Sequence, residues 1–395
     1  MPRNTSTALA ADGTPVRVEV CSSLAAVPAA EWNRLAGAEY PFLRHEFLLA
    51  LEESGSASAW SGWQPCHLLL REGGQVTGAV PLYLKNNSFG EFVFDWAWAD
   101  AYRRAGLRYF PKLVAGVPFT PATSPRFLNA PGSAPGPVRN ALVAAALELA
   151  RESGASSLHV LFPPDDEVQD LEGAGLLRRK DCQFHWHNRN YQTFDDFLGE
   201  FTAEKRKKAK RERRRVAEAG IRFRHLTGHD IDEGLLARIM PLYASSFWRR
   251  GREPYLNEDF FRRLCATLPD SLLVILALQG DEPVATAICY RGKNSLYGRY
   301  WGSSADYHSL HFETCYYQGI EYCIDHGLAL FEPGTQGEHK ISRGFVPTAT
   351  WSAHWLSHPQ FFAAIDQYLD RERAHIDRYM AEVNEHVPYR RDHGD

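Results

Sequence analysis

The sequence predicts a mixed α/β protein in which one arrangement of strands and helices occurs twice. Three observations carry this reading. Apolar runs of strand length alternate with helix-period segments along the whole chain. The order of these segments in the first half recurs in the second. Finally, QVTGAVPLYLKNNSFGEF (75–92) resembles EPVATAICYRGKNSLYGRY (282–300), with Lys85-Asn86 opposite Lys293-Asn294, and WAWAD farther on resembles WGSSAD. A chain of 395 residues, 44% of them hydrophobic, suffices for one large or two medium cores.

The first copy opens with the strand VRVEV, followed by helices in EWNRL and FLRHEFLLALEES. Strands are expected in CHLLLRE, QVTGAVPLYLK, GEFVFDWAW and KLVAGVPF. The helix PVRNALVAAALELARES follows, begun after Pro137 and closed toward Gly154, then the strands SLHVLF and LLRRKDCQFHW. The second copy has the strand IRFRHL, helices in EGLLARIMPLYASSFWRR and NEDFFRRLCATL, and strands SLLVILALQ, PVATAICYR and SLYGRYWG. The helix HFETCYYQGIEYCIDHG and the strand LALFE complete it. Between the copies, Thr193 can cap a helix with Asp196 three residues on. From Lys205 to Arg215 nearly every residue is basic, and Gly220 ends the segment. The last long segment, 359–387, reads as an amphipathic helix packed on the second copy. The expected division is a disordered head 1–15, a first domain 16–193, a basic connecting helix 194–220, and a second domain 221–395 that carries the chemistry.

Composition excludes several classes. The net charge of −4 points to no particular partner. The 7 cysteines contain no CxxC pair; Cys315 and Cys323 are the closest, so reduced thiols in a cytosolic protein are expected and no metal site. The amino terminus lacks the apolar core of a signal peptide. The runs LVAAALELA and LLVILAL fall far short of the ~20 residues that span a bilayer. These features predict a soluble, cytoplasmic protein.

The richest polar stretch is GTQGEHKISRGF (334–345), set between the apolar LALFEP and the aromatic TATWSAHWL. A solvated turn is the plain reading. Read as a site, it offers His339 as the titratable base and Glu332, at the strand end, as a second base or an anchor for an ammonium. Lys340 and Arg343 would hold a phosphate or carboxylate, and Gln336 with the Gly337 amide would polarise a carbonyl. Tyr300 and Trp301, on a neighbouring strand, would reach the same pocket. Each has a structural alternative: His339 as a turn hydrogen-bonder, Glu332 and Arg343 as an ion pair. Elsewhere, Arg249 and Tyr255, within SFWRRGREPYLNEDFF beside Trp248, Arg250 and Arg252, suit a stacked or phosphorylated ligand. Thr120, Thr123, Ser124 and Arg126 could serve as anion donors or as a stiff turn. The row Trp96, Trp98, Tyr297, Tyr300 and Trp301 reads more simply as core at strand period. In the basic helix, Lys207, Lys210, Arg211 and Arg214 would meet nucleic acid or acidic surface of the protein itself.

The unit order β–α–α–β–β–β–α–β is that of the GNAT acyltransferase fold. In it the fourth and fifth strands splay apart and an acyl donor lies in the notch. That order puts the 334–345 loop at the mouth of the notch in the second copy. The glycine-rich pyrophosphate loop of that fold is missing from both copies, which have DAYRRAGLRYF and DYHSLHFETCYY there. Weak or no acetyl-coenzyme A binding is therefore expected. A tandem pair without that loop, joined by EKRKKAKRERRRVAEAGI, resembles the Fem-type aminoacyl transferases. The segments PFLRHEFLLALEESGSAS, PFTPATSPRFL, REPYLNEDFF and FEPGTQGEHKISRGFVPTATWSAHWL look more closely like the FemAB-like branch, over almost the whole chain. The resemblance implies transfer of an acyl or aminoacyl group to an amine acceptor, such as a peptidoglycan precursor, with aminoacyl-tRNA as the donor. The rivals are an acyl-coenzyme-A-dependent N-acyltransferase acting on a small metabolite, and a non-catalytic module that recognises a peptidoglycan precursor or RNA.

Overall fold

The structure is a computed structural model that describes residues 6–9, 15–335 and 337–390. Within the head expected to be disordered, Ser6–Leu9 pairs antiparallel with Pro15–Cys21; residues 1–5 and 10–14 lie outside the described residues. The chain forms two compact units, one of residues 1–181 and 349–376, the other of residues 182–348 and 377–395. This division differs from the one drawn on the sequence. The break falls within the strand Leu177–His187, and the chain returns to the first unit after residue 348. Most of the carboxy-terminal helix Pro359–Asn384 counts with the first unit, because Phe361, Phe362, Ile365 and Leu369 pack around Trp98, Tyr102 and Tyr109.

The first unit has an antiparallel sheet in the order Ser6–Leu9, Pro15–Cys21, His67–Glu72, Gln75–Val80, Leu128–Asn129. Another ladder runs from Val346–Leu356 through Ser157–Leu161, Lys112–Ala115 and Leu82–Lys85 to Trp63–Pro65, with Lys112–Ala115 and Ser157–Leu161 parallel. Helix Pro135–Glu152 buries Val138, Leu142, Ala146 and Ala150, a four-residue stripe on one face, against Leu68, Leu70, Leu82 and Val160.

One expected strand is absent. GEFVFDWAW forms a turn and then the helix Trp96–Arg104. The alternating aromatics mimic strand period, but Gly90 and Phe92 take positive φ and break the strand. Trp98 and Tyr102 then face inward at helical spacing, while Trp96 is 45% exposed and not core. Glu91 and Asp95 turn inward onto Lys112, whose Nζ lies 2.8 Å from Glu91 Oε2 and also bonds Asp95. Arg126, read as an anion donor with Thr120, Thr123 and Ser124, is buried instead. It donates to Ser124 and to the carbonyl of Ala122 at 2.7 Å.

The second unit follows the expected order. Ile221–Thr227 is followed by helices Glu233–Trp248 and Glu258–Thr267, then by the antiparallel meander Leu272–Gln279, Glu282–Arg291, Ser295–Ser303. A helical stretch of three pieces, Leu310–Phe312, Glu313–Tyr317 and Gln318–Asp325, leads to Leu330–Glu332, which pairs parallel with Ser295–Ser303. The middle piece is a π-helix. Apolar positions on the meander, among them Leu273, Ile275, Ala287 and Cys289, pack on Tyr316, Ile320 and Cys323. On the opposite face the helix Glu233–Trp248 lies directly on backbone: a Cβ at Gly302 would sit 1.6 Å from the Leu242 carbonyl oxygen. Glycine is required there for the helix to dock.

Candidate active site

The parallel pairing of Ser295–Ser303 with Leu330–Glu332 ends at Tyr297 opposite Glu332. Beyond it the parallel ladder stops, although Pro333 and Gly334 still lie against Gly298. A register shift on the other side of Ser295–Ser303 leaves Arg299 as an extra residue between Gly298 and Tyr300. Such a bulge bends a strand and sharpens its twist. Gly298 is closely packed there: a Cβ would stand 3.2 Å from the Pro333 backbone. Glu332 is buried at the end of this pairing.

The polar loop follows as the 3-10 helix Glu338–Arg343, between Gly337 and Gly344, which take φ of 112° and 93°. The glycine at 337 is dictated by more than its backbone angle. A Cβ there would lie 2.2 Å from Cε1 of His339, so the loop backbone lies flat against the imidazole. His339 Nε2 is 2.7 Å from the Tyr316 hydroxyl. Its ring stands 5.7 Å from that of His311 and 5.6 Å from that of Phe312, and His311 in turn meets Trp301 at 5.2 Å. Tyr316 belongs to the π-helical piece, a distortion frequent at functional sites. Desolvation, then the cations of Arg343 and Lys340, hold the His339 imidazole below its ordinary value. Burial lowers His311 to about 4. Both rings are therefore neutral at pH 7, while the edge of His339 remains exposed.

Two expected ligand-binding cations are instead built into the loop. Arg343 is buried. It pairs with Glu212 through Nη2 at 2.7 Å and Nε at 3.1 Å, and its guanidinium lies 3.3 Å over the Phe312 ring. Tyr317 donates to the same carboxylate at 2.7 Å. Glu212 is the acidic residue inside the basic run, on the inward face with Ala209 and Val216. Its placement there, three residues after one small apolar side chain and four before another, was the available sequence signal. Lys340 is also buried; its Nζ donates to the Gly334 carbonyl at 2.5 Å, and burial pulls it down to about 7. Gln336 lies outside the described residues.

Tyr300 and Trp301 are adjacent on a strand and so point to opposite faces. Trp301 reaches the His311–His339 cluster. Tyr300 packs on Tyr243 at 5.0 Å and near Phe247, which also meets Tyr255. Arg249 donates to the Ser303 carbonyl at 3.3 Å. Tyr300, Tyr255 and Arg249 thus belong to the helix-covered side of the sheet and not to the loop site.

The start of the 310–325 helix does not fit a coenzyme A pyrophosphate. Ser309 precedes it at φ 68°, and the amides of Leu310 and Phe312 are already bonded to Tyr307 and Ser309. In the first unit, the helix that joins the parallel strands Lys112–Ala115 and Ser157–Leu161 is Pro135–Glu152, whose first turn holds Pro135 and Pro137 and so lacks two of the amides a phosphate would need. The basic helix Ala203–Glu218 buries Ala209, Glu212 and Val216. Arg213, on its inner flank, bonds Glu313 and Glu321. Lys207, Lys210, Arg211 and Arg214, spaced 3, 1 and 3 residues apart, share the exposed face. Lys210 meets Asp195 at 2.8 Å and Arg214 meets Glu218 at 3.5 Å, both exposed pairs of small energetic weight.

The sequence profile of the FemAB-like family, described as peptidoglycan biosynthesis/recognition, matches residues 23–391. The chain belongs to the FemAB-like family. As a FemAB-like protein it is a transferase. No curated protein matches the chain. Among solved structures, a conserved protein of unknown function from Bacteroides thetaiotaomicron aligns over 85% of this chain and 98% of its own, at 9% identity and a TM-score of 0.50. FemX aligns over 79% and 92%, at 12% identity and a TM-score of 0.49. A tandem GNAT protein from the clavulanic acid biosynthesis pathway aligns over 87% and 99%, at 11% and 0.46. Among the described residues of this FemAB-like chain, no helix is long and apolar enough to cross a membrane.

Proposed function

We propose that this FemAB-like chain transfers an acyl or aminoacyl group to the amine of a peptidoglycan-related acceptor, with His339 as the base in the second unit. The observation that carries this reading is the 2.7 Å contact between His339 Nε2 and the Tyr316 hydroxyl, set among the rings of His311 and Phe312. With Nε2–H donating to the tyrosine oxygen, the lone pair sits on Nδ1. The imidazole is neutral at pH 7 and can take a proton from the attacking amine. The amine nitrogen forms the new bond to the donor carbonyl carbon. The bond from that carbon to the donor oxygen then breaks, and His339 returns the proton to the leaving oxygen.

An aminoacyl-tRNA ester is the donor this reading favours. The helix-start geometry argues against coenzyme A, and the exposed face of Lys207, Lys210, Arg211 and Arg214 offers phosphate contacts that carry no sequence preference. Such a donor places the reaction in the cytoplasm. The test is a transfer assay with charged tRNA and a nucleotide-activated muropeptide, with acetyl-coenzyme A as the rival donor. Product from charged tRNA that is lost in His339→Ala supports the reading. Product from acetyl-coenzyme A alone, or undiminished turnover in His339→Ala, overturns it.

A further inference from the structure

The 3-10 helix that carries His339 has six residues, Glu338–Arg343. Such helices seldom exceed three or four residues, because their hydrogen bonds are poorly aligned. Within this one, Lys340 N–H donates to the Gly337 carbonyl at 3.0 Å and Gly344 N–H to the Ile341 carbonyl at 3.1 Å. Its conformation therefore depends on ties from outside. One is the buried Arg343, which donates to the His339 carbonyl at 2.5 Å and pairs with Glu212. The others come from the carboxy-terminal segment of the second unit. The Tyr379 hydroxyl donates to Glu338 Oε1 at 2.9 Å, at the start of the helix. The Tyr389 hydroxyl donates to the Gly344 carbonyl at 2.6 Å, at its end. Gly344 is buried between the Phe197 ring and that hydroxyl; a Cβ would lie 2.7 Å from the one and 3.0 Å from the other.

Tyr389 is itself anchored. Residues 388–390 lie antiparallel to 200–202, with Thr202 N–H donating to the Pro388 carbonyl at 2.9 Å and Arg390 N–H to the Glu200 carbonyl at 2.8 Å. The Tyr389 ring meets Phe201 edge-on at 5.5 Å, and the Arg189 guanidinium lies 4.6 Å from its centre. Neither Tyr379 nor Tyr389 is a ring partner of His339, which meets His311, Phe312 and Tyr316. Arg343 and Lys340 are the cations that bear on it. We propose that segment 379–389 is a positioning strap for the transfer reaction, in which Tyr379 and Tyr389 hold the two ends of the loop so that the His339 ring stays against Tyr316. This rests on the transferase reading of His339. The two hydroxyls act through the loop, where a displacement of ~1 Å can cost ~10²-fold in rate.

The test uses Tyr389→Phe and the double variant Tyr379→Phe with Tyr389→Phe. Tyr368→Phe is the control, since the Tyr368 hydroxyl bonds Glu372 and not the loop. The first readout needs no activity: NMR titration of the His339 imidazole, assigned by its loss in His339→Gln. In the native chain, burial and the two cations hold this ring below its ordinary value. With the strap cut, the ring gains water and the titration should rise toward ~6.5, while the control leaves it in place. The second readout is the transfer assay with charged tRNA. Turnover should fall by ~10-fold or more with KM unchanged, and the pH at which activity rises should move with the titration. An unmoved titration in the double variant overturns the strap, whatever the activity; a lowered melting temperature beside it would mark the tyrosines as merely structural. Undiminished turnover with a moved titration also overturns it. A moved titration in a chain that transfers nothing supports the strap and overturns the transferase reading alone.

Discussion

Two neighbours on one short loop have opposite roles, and single substitutions separate them. His339 has an exposed edge and makes one side-chain hydrogen bond, to Tyr316. His339→Gln should lower turnover by at least ~10²-fold, the usual scale for a general base, with little change in urea stability. Arg343→Ala should do the reverse first. It leaves Glu212 buried without its cation, a loss of ~3–5 kcal/mol that urea unfolding would register. Equal effects of both substitutions on stability would make His339 a structural residue. The pH profile follows from the direction of the His339 shift. Its folded value is lowered, so the base form predominates above a pH below the ordinary ~6.5. Activity should rise through that lower value and be level at pH 7. His339 stands out in the sequence as a candidate because a histidine in a glycine-bounded loop is conspicuous. The role of Arg343 was not legible: its partner lies 131 residues away, and only folding brings them together.

At the scale of elements, the repeated order of strands and helices could be read because each segment keeps one period for its full length. The Thr193–Asp196 capping box was legible for a similar reason, since both partners are local. GEFVFDWAW was misread because its alternation is real, while the turn that breaks it depends on Lys112, more than a dozen residues on. Gly302 was equally hidden: nothing local says that a helix carbonyl will rest on it. Gly302→Ala should displace Glu233–Trp248 and destabilise by at least ~3 kcal/mol, the upper range for overpacking. A denaturation midpoint like that of the native chain would contradict this packing. The basic helix gives a second test at this scale. Changing Lys207, Lys210, Arg211 and Arg214 together to Gln should leave the fold intact, since all are exposed. It should flatten the dependence of tRNA binding on salt, because fewer counterions are released. An unchanged slope would show that tRNA docks elsewhere.

For the whole molecule, buried histidines set the response to acid. Burial lowers His159 and His185 to about 3 and His311 to about 4, and takes His354 well below its usual value. His159 and His354 face each other across paired strands, their Nδ1 atoms 2.7 Å apart. That contact needs one donor and one acceptor, so it cannot form when both rings are fully protonated. As pH falls through ~6.5 the unfolded chain gains protons at all four histidines while the folded chain does not, which favours unfolding. Three carboxyls act in the opposite sense, since burial also raises Glu313. Burial raises Glu91 and Glu167 to about 7, so between pH ~7 and ~4.5 the folded chain holds protons that the unfolded chain releases. His187, His225 and His339 are lowered as well, so the histidines outnumber the carboxyls, unfolding takes up protons, and stability falls as the pH falls in this window. The melting temperature should drop by at least ~4 °C per pH unit between pH 6.5 and 4.5, given ~2–4 °C per kcal/mol for units of this size. His159→Gln with His354→Gln should flatten the slope, because two of the most strongly lowered histidines no longer titrate. A melting temperature constant across the window, or one that rises toward acid, would mean that the buried carboxyls outweigh the histidines.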